Sequence, residues 1–135
     1  MAWTTVVGMA MLALTAGCGW VGGSTPATDP TDVAVYEPTG EGRFAARLAG
    51  VLERVDGCVV VRGDGIDMAT DHEYVPVFPR GVHWNGDILV VGGHEDRLGE
   101  HAEFGGGELP GQSASALADV PAACAGRPLW LVSGQ

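Results

Sequence analysis

The chain has 135 residues and carries seven arginines and no lysine against seventeen Asp and Glu, for a net charge of −10. Binding a phosphate backbone takes several positive charges on one face. Arg43, Arg47, Arg54, Arg62, Arg80, Arg97 and Arg127 stand singly along the chain, which argues against nucleic acid as a partner. The length suits one small domain plus its leader segments.

Residues 1–17 carry no charge, and Val6 to Ala16 is an apolar run. It falls short of the roughly 20 residues a helix needs to cross a bilayer and reads instead as a signal peptide. The run closes on Leu14-Thr15-Ala16-Gly17-Cys18. Small residues before a cysteine let the chain enter a peptidase cleft in extended form, and the five residues resemble the lipobox of bacterial lipoproteins. That resemblance implies cleavage before Cys18, a diacylglycerol on its sulfur, and a protein anchored to the cell membrane on its extracytoplasmic face. Two acyl chains, at roughly 0.8 kcal/mol per buried CH₂, make such an anchor stable. Removal of an ordinary secretory signal is the competing reading.

From Gly19 to Arg43 the chain is rich in Gly, Pro, Ser, Thr and acidic residues. Such a composition buries too little apolar surface to offset chain entropy, so residues 18–43 are expected to form a flexible tether. Residues 44–135 are then the folded domain, about 90 residues long. Its two cysteines, Cys58 and Cys124, form an even pair in an exported chain, which favours a disulfide over free thiols. In the chain-entropy model, closing so long a loop stabilises a fold by roughly 4 kcal/mol.

In chain order, Phe44 to Val55 fits both a helical face and the alternation of a strand; Gly50 and the following Asp56-Gly57 decide for a strand. Asp-Gly between apolar runs is a hairpin turn, because both central positions of a type I′ turn require positive φ. Cys58 to Arg62 is the returning strand, and Gly63-Asp64-Gly65 another turn. Tyr74 to Phe78 is a third strand, which Pro76 and Pro79 should confine to an edge or a bulge. A second hairpin runs from Val82 to Trp84 through an Asn85-Gly86 turn to Ile88–Val91. The glycine-rich stretch from Gly92 to Gly111 is expected to hold one or two short strands with wide loops. Ser113 to Leu117 reads as a helical turn, Asp119-Val120-Pro121 as a corner, and Pro128 to Ser133 as a closing strand. These elements predict an all-β domain, a small closed or partly closed OB-like barrel, with a β-sandwich as the second choice.

The succession Leu48-Ala49-Gly50-Val51-Leu52, Asp56-Gly57-Cys58-Val59-Val60, Pro76-Val77-Phe78-Pro79, Trp84, Leu98-Gly99-Glu100, Gly106-Gly107-Glu108, Pro121 through Cys124 and Trp130 spans the domain. It resembles small exported proteins and lipoproteins of high-GC Gram-positive bacteria. The resemblance implies a barrel with a Cys58 to Cys124 bridge and supplies no activity.

Three constellations are candidates for chemistry. His94, Glu95, His101 and Glu103, with His72 nearby in sequence, offer imidazoles and carboxylates for zinc or copper. The two histidines lack the spacing of a metalloprotease helix. The acidic stretch from Asp64 to Glu73 suits calcium in ligand type, yet departs from the EF-hand spacing. Tyr74, Phe78 and Trp84 flank one hairpin region, where exposed aromatics on a barrel would form a stacking platform for an oligosaccharide. Gly105-Gly106-Gly107 lacks the helix and lysine of a phosphate loop, and Ser113 and Ser115 lack a nucleophile elbow. The sequence is therefore read as non-enzymatic and without a cofactor: an envelope module for a protein partner or a glycan, with an envelope metal-binding protein as the alternative.

Overall fold

The computed structural model describes residues 30–39, 46–63, 73–110 and 116–133. Ten strands are described: β1 (Ala34–Tyr36), β2 (Ala46–Val55), β3 (Cys58–Arg62), β4 (Glu73–Pro79), β5 (His83–Asn85), β6 (Ile88–Val91), β7 (His94–Arg97), β8 (His101–Leu109), β9 (Ala118–Asp119) and β10 (Leu129–Val132), with a 3₁₀ turn at Ala122–Cys124 before β10. The expected signal peptide, Cys18, the Gly63-Asp64-Gly65 turn beyond its first residue, His72 and most of the expected helical turn at Ser113 to Leu117 lie outside the described residues.

Five strands close a barrel in the circuit β2, β3, β4, β10, β8 and back to β2. Every contact in it is antiparallel except β4 with β10, where Leu129, Trp130 and Leu131 lie beside Val75, Pro76 and Val77 in parallel. Numbered along the chain, the barrel strands run 1-2-3-5-4-1, the Greek-key circuit of an OB-like barrel, and closure rules out the sandwich. Between the third and fourth barrel strands the chain makes a separate three-stranded meander, β5 to β7.

Alternation along the strands builds two cores. Leu48, Leu52, Val59, Val61, Phe78, Phe104, Trp130 and Val132 fill the barrel, and the same cluster takes in Leu89 and Val91 of the meander. The meander therefore plugs the barrel. Ala34, Cys58, Val60, Val75, Val77, Leu109, Cys124 and Leu129 form a second cluster on the outer face. Strands buried on both faces read as continuous apolar runs, which is why Cys58-Val59-Val60-Val61 shows no alternation. Segment 118–128 covers the outer cluster, tied down by a disulfide from Cys58 to Cys124 across a separation of 66 residues. The bridge is the one expected from the even cysteine pair.

The Asp56-Gly57 turn is as expected, with φ of 51° and 82° joining Val55 to Cys58. The second hairpin turns one residue later than expected: Asn85 pairs with Ile88, so Gly86 and Asp87 are the central pair, and only Gly86 has positive φ, the type II′ pattern.

Three expectations need correction. Residues 33–36, expected in the tether, are part of the fold. Val33, Ala34 and Val35 are buried, and β1 runs parallel to β4 and antiparallel to β9. Second, β4 is no edge strand, because its prolines point where no partner needs an amide. The Val75 N–H donates to the Pro128 carbonyl at 2.8 Å, so alternation turns the Pro76 nitrogen to the opposite edge. There it faces the interval between Tyr74, which pairs with β3, and Val77, which pairs with β1. Pro79 faces the β10 edge beyond its last pair, Val77 with Leu131. Third, the glycine-rich stretch holds two strands, as expected, but β8 is nine residues long and only residues 98–100 separate it from β7, in place of wide loops.

Within β8, Gly106 is required by close approach: a Cβ there would lie 1.8 Å from the Leu131 carbonyl oxygen and 2.8 Å from Trp130 Nε1. At Gly105 the nearest atom, Ser133 Oγ, is 3.4 Å away. Gly106→Ala must push β10 off β8 and should cost roughly 3 kcal/mol or more in urea unfolding, whereas Gly105→Ala should cost well under that. Equal effects would contradict this account of barrel closure.

Candidate functional site

The proposed metal ligands fall on two different sheets. His94 and Glu95 open β7 of the meander, pairing with Val91 and Val90, while His101 and Glu103 lie on the barrel strand β8 opposite Val51 and Ala49. Alternation sends His94 and Glu95 to opposite faces of β7. The Glu103 carboxylate accepts from Arg47 at 3.4 Å. Among the described residues no three His, Cys, Asp or Glu side chains are grouped to hold a metal ion. At the end of the acidic stretch, Glu73 is committed to Arg62 and Arg127.

The aromatic platform does not form. Phe78 is wholly buried and packs edge-on against Phe104, with centroids 5.2 Å apart. Tyr74 is half-buried against Trp130 at 5.7 Å. Trp84 belongs to a polar clamp: its Nε1 donates to Asp32 Oδ1 at 2.9 Å, Arg54 Nε donates to Asp32 Oδ2 at 2.9 Å, and the Arg54 guanidinium lies 4.9 Å over the Trp84 ring. Asp32 thus joins the N-terminal segment to β2 and to the meander. Nothing in residue spacing foretold it.

A groove of about 1170 Å³ lies on the outer side of the barrel. Its walls come from Pro30 and Val33, from Leu109 and Pro110 at the end of β8, and from segment 118–128 with Val120 and Pro121. No aromatic residue lines it among the described residues. The groove exists because segment 118–128 spans the outer cluster and is held at Cys124. Its lip is acidic: Arg80 answers two carboxylates, Glu37 and Asp119, and exposed Glu108 stands nearby on β8. Sequence reasoning missed this site, since Asp119-Val120-Pro121 looked like a corner; the recurring prolines at 110, 121 and 128 were the available signal.

Each described arginine, Arg47, Arg54, Arg62, Arg80, Arg97 and Arg127, lies in an ion pair with a carboxylate. No helix among the described residues is long and apolar enough to cross a membrane. No family model, curated protein or solved structure matches the chain.

One charged group sits where packing disfavours it. Asp96, in the row Trp84, Leu89, Asp96 across the meander, is only 7% exposed. Its Oδ2 has no hydrogen-bond partner among the described residues, and its Oδ1 lies 3.5 Å from His94 Nε2. Burial pushes its pKa above the usual carboxylate value, opposed by the charge and hydrogen bond of His94. The folded state therefore holds this proton more tightly than the unfolded chain does. The stabilisation is complete below the unfolded pKa and is lost as pH rises through the raised one. Asp96→Asn should raise the unfolding free energy at neutral pH by ~1 kcal/mol, with the gap closing toward pH 4 in thermal melts. A variant less stable than wild type at pH 7 would contradict this.

Proposed function

We propose that the chain is an exported lipoprotein whose barrel domain is a non-enzymatic binding module of the cell envelope, anchored through a diacylglycerol on Cys18. The observation that carries the binding reading is the groove, apolar in its walls and open at an acidic lip. Pockets of several hundred Å³ with few polar groups are the usual form of a ligand site. The disulfide suits an oxidising compartment. With every described arginine paired, the surface offers phosphate groups little attraction, which supports a partner other than nucleic acid.

Because the domain includes residues from Pro30 onward, the linker after Cys18 is shorter than its composition suggests. About a dozen residues reach at most ~40 Å. The groove, whose wall begins at Pro30, would then work close to the membrane, against envelope components.

A photo-crosslinking residue at exposed Ala122 on the groove wall, compared with one at Glu95 on the outward face of the meander, tests this in cells. Discrete adducts from position 122 in the membrane fraction, and none from position 95, are expected. Equal adducts from both, no adducts, or a cytosolic protein would overturn the proposal.

A further inference from the structure

We propose that the groove takes an extended peptide segment of a partner protein, with alternating cationic and apolar residues, added as a strand to the open edge of β9. The inference rests on the binding-module reading and names the partner's chemistry.

The first observation is the sheet order. β9 is the terminal strand among the described residues and pairs with β1 through Val35 with Asp119 and Tyr36 with Ala118. Its other edge has no strand partner among them. An open edge is a template for another chain, and main-chain bonds to it demand an extended peptide. β9 itself lines the groove, so a strand added there runs along the cavity.

The second observation is apolar. Leu117, directly before β9, is 53% exposed and is the exposed large hydrophobic residue of the described surface. It directly precedes Ala118, which lines the groove with Val, Leu and Pro residues, so alternate side chains of an added strand meet apolar surface.

The third is charge. Glu108 and Asp119 line the groove; Asp119 shares the cation Arg80 with Glu37, and Arg127, the cation of the lining, is taken up by Glu73. The lip is left net negative, which favours Arg or Lys at the outward positions of the incoming strand. A second copy of a chain carrying −10 would bring repulsion instead. Wall glycan is disfavoured because sugar rings are held by aromatic faces, and none lines the groove among the described residues.

The test uses the full-length oxidised protein in detergent and short synthetic peptides read by fluorescence anisotropy. The probes are a peptide alternating Val and Arg, its Val and Glu counterpart, and the Val and Arg peptide methylated on the backbone nitrogens of one edge. The Arg peptide should bind at least roughly tenfold tighter than the Glu peptide, and methylation of one edge should abolish binding. Glu108→Lys should weaken the Arg peptide, while Glu95→Lys, the same charge change on the meander, should leave it unaltered. Leu117→Ser provides a second variant that does not change charge, and it too should weaken binding. Affinity indifferent to backbone methylation, or weakened equally by Glu108→Lys and Glu95→Lys, would overturn the proposal as mere charge attraction. Crosslinked adducts at Ala122 together with no binding of any peptide would overturn it while leaving the binding-module reading in place.

Discussion

The barrel depends on a strand wedged into its own wall. β3 and β4 pair only at Val61 with Tyr74 and Arg62 with Glu73, and beyond that point they splay apart. The fork is occupied by residues 30–36: the Val59 N–H of β3 donates to the Asp32 carbonyl at 3.2 Å, and β1 then runs along β4. Without that insertion, backbone groups of two buried strands would face each other without partners, each at a cost of about 1–3 kcal/mol. The Asp32 side chain pins the wedge by accepting from both Arg54 and Trp84. Hydrogen bonds to a charged group contribute about 1.5–3 kcal/mol each when well buried, and these are partly exposed, so the lower end applies.

The wedge also explains how one small domain carries two cores. Val33 and Val35 belong to the barrel interior, whereas Ala34 between them belongs to the outer cluster. A three-residue strand therefore contributes to both sides of the wall. Its far edge positions β9, and β9 begins the segment that returns over the outer face to Cys124. The Tyr36 hydroxyl adds a further link by donating to the Val132 carbonyl at 2.8 Å. Wedge, covering segment and groove are thus one construction, closed covalently at Cys58 and Cys124.

What could be read from the residues follows from how local the cause is. Asp56-Gly57 was legible because two consecutive positive φ values have few solutions, and Cys58 with Cys124 because a domain with two cysteines has one pairing within it. Asn85-Gly86 misled by one residue, since a single positive φ at Gly86 serves a II′ turn starting from Asn85. Pro76 suggested an edge because pairing rules assume a continuous neighbour, and here the neighbour changes from β3 to β1 at that residue. The glycines of β8 looked like looseness, but Gly106 is there for contact with β10. Val33-Ala34-Val35-Tyr36 was hidden by averaging over a polar segment. The histidine sets could not be judged at all from spacing, because which sheet a residue joins depends on long-range pairing. The groove, which brings residues near 30 against residues 108–129, was hidden for the same reason.

The most direct measurement compares two oxidised fragments, one beginning at Pro30 and one at Phe44, by urea unfolding followed through tryptophan fluorescence. The fragment from Pro30 should unfold in one cooperative transition, and the fragment from Phe44 should lack that transition or lose most of its stability. Cooperative unfolding of both fragments at the same urea concentration would contradict the account, because residues 30–36 would then be an ornament on a barrel that closes without them.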